Sequence, residues 1–338
     1  MSAGVRSGAP QRGEGRGPRR AVPAPALFIT SGTIQYVGAA MAVGLFALMP
    51  STTVAWWRIL LSAVLLLAWR RPWRTRWTWA EIGASALFGI VLASMNILFY
   101  GGIARLPLGT VVSLEFLGPV AVAAWGARGV RARTAVGLAF LGVVLIGGLG
   151  VDLGDPATIP GLAFALGAGV AWAAYIVLGR RIASTRDGID SLAVGMAAGA
   201  IVYLPMAVGT AAPAFGSVPV FAAVLGVAVF SSLIPYAIEQ VVLRRASAAS
   251  FALLTSLLPA TSLMVGLVML RQVPNLGEIG GLVAISVAVA LTSRERAAPA
   301  GDGTGLAPGK TTPSGPDPDA VPDGGSPRPP GGDDTPER

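Results

Sequence analysis

In the stretch "VVSLEFLGPVAVA" (111–123), Glu115 stands alone among small and apolar residues, four positions before Pro119. A carboxylate in such a place can exchange a proton or hold an ammonium group. Proline withholds the N–H that the carbonyl four residues back would otherwise accept, so Glu115 carries a free backbone acceptor beside its side chain. Two further polar residues interrupt apolar runs: Arg58 in "TTVAWWRILL" and Asn96 in "ASMNILFY", with Tyr100 one helical turn after Asn96. The pattern recurs in "FSSLIPYAIEQ" (230–240), where Ser232, Tyr236 and Glu239 fall on one helical stripe and Pro235 frees the carbonyl of Ser231. Pro259 does the same for Thr255, and in "VAWAAYIVLGRR" (170–181) Trp172 and Tyr175 share a helical face. Cysteine and histidine are both absent, which removes disulfides, thiol nucleophiles, histidine bases and the usual zinc ligands. We therefore expect no catalytic residue, no metal and no cofactor.

What these residues can do depends on the solvent around them. The 338 residues are 53% hydrophobic and only 12% charged, with a mean hydropathy of +0.67. Soluble domains carry roughly twice that share of charge, so the solvent of most of this chain is a bilayer. Ten apolar runs, near 25–48, 52–69, 79–102, 106–125, 133–150, 160–179, 190–210, 217–241, 247–270 and 275–293, are each long enough to cross about 30 Å of hydrocarbon. Residues 1–23 are Gly/Arg/Pro-rich and residues 294–338 Pro/Gly/Asp-rich; neither can bury enough apolar surface to fold, and both read as disordered tails. The apolar run after the first tail is too long for a secretory signal.

The net charge of +8 invites a nucleic-acid reading, but its distribution gives another. With both ends inside, twenty-one arginines fall on the inner tails and joints, among them Arg70, Arg71, Arg74 and Arg76, whereas only Arg105 and Arg271 face out. That asymmetry is an insertion signal: ten spans, N and C termini cytoplasmic, no nucleic-acid partner. The arrangement places Glu115 roughly 10 Å below the outer surface, with Arg58 and Asn96 at similar depth. An ionised group there must be paired or face water, so Arg58, Asn96 and Glu115 are expected around one interior cavity. Glu115 is then either the structural partner of Arg58 or a group that exchanges protons. Glu239 is shallow enough to snorkel towards Arg244 instead. Trp172 and Tyr175 fit packing as well as a cavity wall, and Gly195 with Gly199 reads as close helix packing.

An internal repeat supports the same plan. With an offset of 140, Arg105 falls on Arg245, Thr110 on Ser250, Glu115 on Thr255 and Pro119 on Pro259. "VGLAFLGVVL" (136–145) resembles "GGLVAISVAV" (280–289). Two five-span units, 24–150 and 159–293, must run oppositely through the membrane because five is odd. An inverted repeat with its site near the midplane is the plan of many secondary transporters. We read an all-α membrane protein of two inverted five-helix repeats.

The runs "MNILFYGGIARLPLGTVVSLEFLGPVAVA" (95–123), "LAFALGAGVAWAAYIVLGRR" (162–181) and "SSLIPYAIEQVVLRR" (231–245) resemble the EamA branch of the drug/metabolite transporter superfamily, across residues 25–293. Within it they are most similar to the threonine and homoserine exporters of bacterial inner membranes. The resemblance implies a multi-pass exporter of small amino acids or related metabolites, driven by the proton gradient. We expect it to work by alternating access, as a monomer or homodimer. A carrier or flippase for another metabolite or a lipid would share the fold. The resemblance also implies that Asn96, Tyr100, Glu115 and Pro119, with Pro235, Tyr236 and Glu239, line or gate the pathway. The chain departs from the family pattern where Leu258 replaces a glutamate before the ninth-span proline, and where Arg271 and Gln272 replace a glycine and a glutamate.

Overall fold

The computed structural model describes residues 24–125, 129–146, 149, 151–182, 188–235, 238 and 256–295. Among the described residues the chain is helical, with no strand. Helices α1 (Ala24–Leu45), α2 (Ser51–Arg70) and α3 (Trp79–Ile103) are followed by a broken pair, α4 (Leu108–Glu115) and α5 (Leu117–Trp125). Then come α6 (Val130–Leu145), α7 (Thr158–Ile182), α8 (Gly188–Val202), the single turn α9 (Leu204–Ala207) and α10 (Val218–Ala228). The last two are α11 (Leu258–Leu270) and α12 (Leu276–Glu295). Four of these, α1, α2, α3 and α7, are by length and composition able to cross a membrane unaided. The α4–α5 pair, α8, α10, α11 and α12 are apolar but shorter.

Local chemistry sets where helices begin and end. Thr78 and Glu81 close a reciprocal capping box at the start of α3, the Thr78 N–H donating to Glu81 Oε2 at 2.8 Å. Asn275 and Glu278 form the same device at α12. Arg71, in the left-handed conformation at φ 51°, ends α2 just before Pro72, and Arg271 at φ 56° ends α11 before Pro274. The fourth apolar run breaks at Phe116, where Pro119 leaves Glu115 as the last residue of α4. The seventh run breaks at Tyr203, two residues before Pro205, an interruption the apolar pattern did not reveal. Residues Val229–Leu233 continue α10 as a π-helical turn immediately before Pro235.

The packing is carried by small residues. Helix α3 lies against α7 and α8, α2 against α8 and α10, α1 against α10 and α11, α4 and α5 against α7, α4 against α11, and α6 against α12. The α3–α8 crossing brings backbones together at Gly89, Gly195 and Gly199: a methyl group on Gly195 would stand 2.5 Å from the Ser85 carbonyl oxygen. Gly142 of α6 and Gly281 of α12 are likewise each closed off by the other's carbonyl. Such contact lets dispersion and backbone dipoles act at short range where no hydrophobic effect holds helices together. Outward faces stay apolar, as at Phe140, Val144, Val170 and Val177, and tryptophans 69, 73, 79 and 125 project where α2, α3 and α5 begin or end. That surface suits lipid, with aromatic side chains at helix ends.

Candidate functional site

Between α1, α2, α3, the α4–α5 break, α7 and the start of α11 lies a cavity of about 340 Å³, near the lower end of the roughly 300–1,000 Å³ typical of small-molecule sites. Its polar wall contains Arg58, Asn96, Glu115 and Gln35. Apolar and aromatic surface completes it, including Phe99, Met95, Trp172, Tyr175 and Leu258. Three helices thus deliver the three intramembrane polar residues to one space, and α7 adds Trp172 and Tyr175 as walls. These two rings also pack: Phe116 meets Trp172 edge-on, and Phe88 stacks on Tyr175 with ring centroids 4.5 Å apart.

Arg58 is 6% exposed and firmly held. Its Nη2 donates to the Ser231 carbonyl at 2.8 Å and its Nε to Ser232 Oγ at 3.1 Å. The Ser231 carbonyl is the one that Pro235 leaves without a helical donor, so the guanidinium satisfies an acceptor that proline created. The charge also lies 5.6 Å from the centre of the Tyr100 ring, within range of a cation–π attraction. No ion pair joins Arg58 to Glu115 among the described residues; the two charges share the wall of one cavity without touching. Glu115 is 7% exposed, and its Oε1 has no hydrogen-bond partner.

The backbone beside it is accounted for differently. Gly169 of α7 faces the carbonyl oxygen of Glu115: a methyl group there would lie 3.0 Å from it. The acceptor released by Pro119 is therefore covered by close-packed protein, as irregular backbone in a membrane must be. Asn96 donates from Nδ2 to the Leu92 carbonyl at 2.7 Å, which turns its Oδ1 away from its own helix.

Other expected site residues fall elsewhere. Tyr100 is fully buried beneath Arg58, packed on Phe46 and Phe99, with its hydroxyl unpartnered; it supports the cavity wall rather than forming it. Pro119 and Pro235 act through the carbonyls they release. Tyr236, Glu239 and Thr255 lie outside the described residues. Leu258, where the family pattern carries a carboxylate, is part of the apolar wall. Gln35 escaped notice in the sequence, although a lone amide amid the first apolar run was a visible signal. Glu278, in the first turn of α12, is buried: its Oε1 accepts from Thr110 Oγ1 at 2.5 Å, and Gln272 Oε1 accepts from the Leu108 N–H at 3.0 Å. These bonds tie α4 to the α11–α12 turn.

Comparison with known proteins adds to this geometry. Residues 159–294 match the EamA-like transporter family. The threonine/homoserine exporter RhtA of Escherichia coli K12 is 33% identical over 277 residues, covering 81% of this chain and 93% of its own. The chain belongs to the EamA-like transporter family, within the drug/metabolite transporter superfamily. The threonine/homoserine exporter RhtA of Salmonella typhimurium SL1344 is 35% identical over 267 residues, covering 79% of this chain and 90% of its own. A solved crystal structure, 16% identical, superposes with a TM-score of 0.52 over 81% of this chain and 99% of that one, a likeness of fold. This EamA-like protein is accordingly a multi-pass protein of the cytoplasmic membrane, and its relatives are transporters.

Proposed function

We propose that the chain is a secondary active exporter of small amino acids of the threonine or homoserine kind, or of closely related metabolites, coupled to the proton gradient and working by alternating access without a cofactor. The observation that carries this reading is the cavity of about 340 Å³ walled together by Arg58, Asn96 and Glu115. A cavity of that size suits a solute the size of a small amino acid, and a carboxylate with no protein partner is free to exchange a proton or to hold an ammonium group.

In the same reading the chain makes ten crossings as two inverted repeats, with both termini in the cytoplasm. The ten crossings are α1, α2, α3, α4–α5, α6, α7, α8–α9, α10, α11 and α12. Exchanging the first five with the second five turns third-on-sixth packing into eighth-on-first. Third-on-seventh becomes eighth-on-second, and fourth-on-sixth becomes ninth-on-first; every one of these contacts exists. The pairs second–seventh, fourth–ninth and fifth–tenth map onto themselves and are also in contact. Contacts that pair up in this way are what a two-fold axis in the membrane plane produces.

The test is efflux from cells preloaded with labelled threonine or homoserine, expressing wild type or Glu115→Gln, with and without an uncoupler. We expect wild-type efflux that the uncoupler abolishes and that the equally abundant variant lacks. Wild-type efflux indifferent to the uncoupler would overturn proton coupling. No efflux above background at good expression would overturn the substrate class.

A further inference from the structure

We infer that the cavity reads both charged ends of one zwitterion, Arg58 taking the carboxylate and Glu115 the ammonium group, so that neither an amine nor an acid alone is a substrate. The inference rests on the exporter reading and narrows it to solutes that carry both charged groups on one carbon.

The argument begins with what Arg58 has left to give. A guanidinium carries five N–H donors in a planar fork and is always charged. Nε is engaged by Ser232 and one hydrogen of Nη2 by the Ser231 carbonyl. Nη1 and the second Nη2 hydrogen have no acceptor among the described residues, and Arg58 stands in the cavity wall. The two bonds to the π-helical turn fix the plane of the fork, so the remaining donors are pre-organised for a carboxylate. Tyr100 closes off one face of the guanidinium, leaving the edge as the part a ligand can approach.

Glu115 supplies the complement. Its Oε1 is buried and unpartnered although a cation lines the same cavity. A chain under pressure only to neutralise its charges would have paired the two directly, since each unpaired ion in such surroundings is costly. Holding them apart, each facing the cavity, leaves room for a molecule that completes both pairs at once. Asn96, with Nδ2 committed to Leu92, offers Oδ1 to a third polar group. The remaining wall is apolar: Leu92, Met95, Phe99 and Leu258 leave space for a short side chain.

The chemistry predicts a double-mutant cycle between protein and ligand. The purified full-length protein is titrated with L-threonine, with its decarboxylated analogue 1-amino-2-propanol, and with its deaminated analogue 3-hydroxybutanoate, binding being read by thermal shift and by competition with labelled threonine. Each truncated analogue is expected to bind about 10- to 100-fold more weakly than threonine, the effect of deleting one charge-assisted partner. Glu115→Gln is expected to weaken threonine and the amine by that factor and to leave the acid unchanged. Arg58→Lys, which keeps the charge but cannot span Ser231 and the ligand together, is expected to weaken threonine and the acid while leaving the amine unchanged.

Equal losses for all three ligands in either variant would overturn the assignment, as would an amine or acid that binds wild type as well as threonine does. Because Glu115 makes no bond within the protein, Glu115→Gln alone carries the test should the arginine variant fail to fold. Threonine efflux that persists while the ligand cycle fails would remove the clamp and leave the exporter. A wild type that neither binds nor exports threonine would remove both.

Discussion

Arg58 and Glu115 are both buried charges, yet the protein treats them differently. Arg58 answers to Ser231 and Ser232; replacing it with methionine would strand a carbonyl that Pro235 has already deprived of a donor. We expect Arg58→Met to cost about 2–4 kcal/mol, the range for leaving a buried partner of a charged group unsatisfied. Thermal unfolding in detergent, followed by size-exclusion fluorescence, would measure it. Glu115→Gln, whose Oε1 bonds to nothing in the protein, should change the unfolding midpoint little and confine its damage to transport. Sequence alone placed Arg58, Asn96 and Glu115 at one depth, because 1.5 Å per residue converts position along a span into depth. It could not choose the partner of Arg58. The proline rule named Ser231 as a free acceptor, but which donor reaches it is decided by how α2 and α10 meet across the bundle.

At the scale of helices, breaks and crossings matter more than propensity. The break at Phe116 followed from Pro119. The π-helical turn at 229–233 had no signature in the sequence, since one extra residue per turn is stabilised by the groups around it. Pro119→Ala would restore an N–H to the Glu115 carbonyl and let α4 and α5 merge into one straight helix. We expect slower transport with unchanged or slightly raised thermal stability, checked by initial efflux rates alongside unfolding. Glycine positions give a sharper contrast. A methyl on Gly89 would collide with the backbone of Gly195, whereas one on Gly44 would meet nothing within 4 Å. Gly89→Ala should destabilise by about 3 kcal/mol or more, as overpacking against an unyielding backbone does. Gly44→Ala should be neutral, and side-by-side melting curves would decide. Gly195 and Gly199 were legible as a packing pair, but their partner Gly89 was not, because an apolar helix advertises no single buried face.

For the molecule as a whole, the distribution of arginine is the argument for the proposed topology, and the absence of cysteine makes that topology easy to test. A single cysteine introduced at Thr75 should react with a membrane-impermeant maleimide only after the cells are broken open. One at Asp155 should react in intact cells. Reversal of either result would require a different number or orientation of crossings. The all-helical, membrane-embedded character was legible because hydropathy alone dictates it. The cavity was visible only as a coincidence of depths; its aromatic wall and the contribution of α1 through Gln35 required three dimensions.

The glycine contact between α3 and α8 has one more consequence. Those helices come from opposite sides of residue 155, yet their backbones touch at Gly89, Gly195 and Gly199 with no side chain between them. In the alternating access proposed above, a rocking motion that kept this contact would carry the two helices as a single lever. The fulcrum would then run across the proposed repeat instead of along it, and cutting the chain at residue 155 would yield two fragments that each hold only part of the moving machinery.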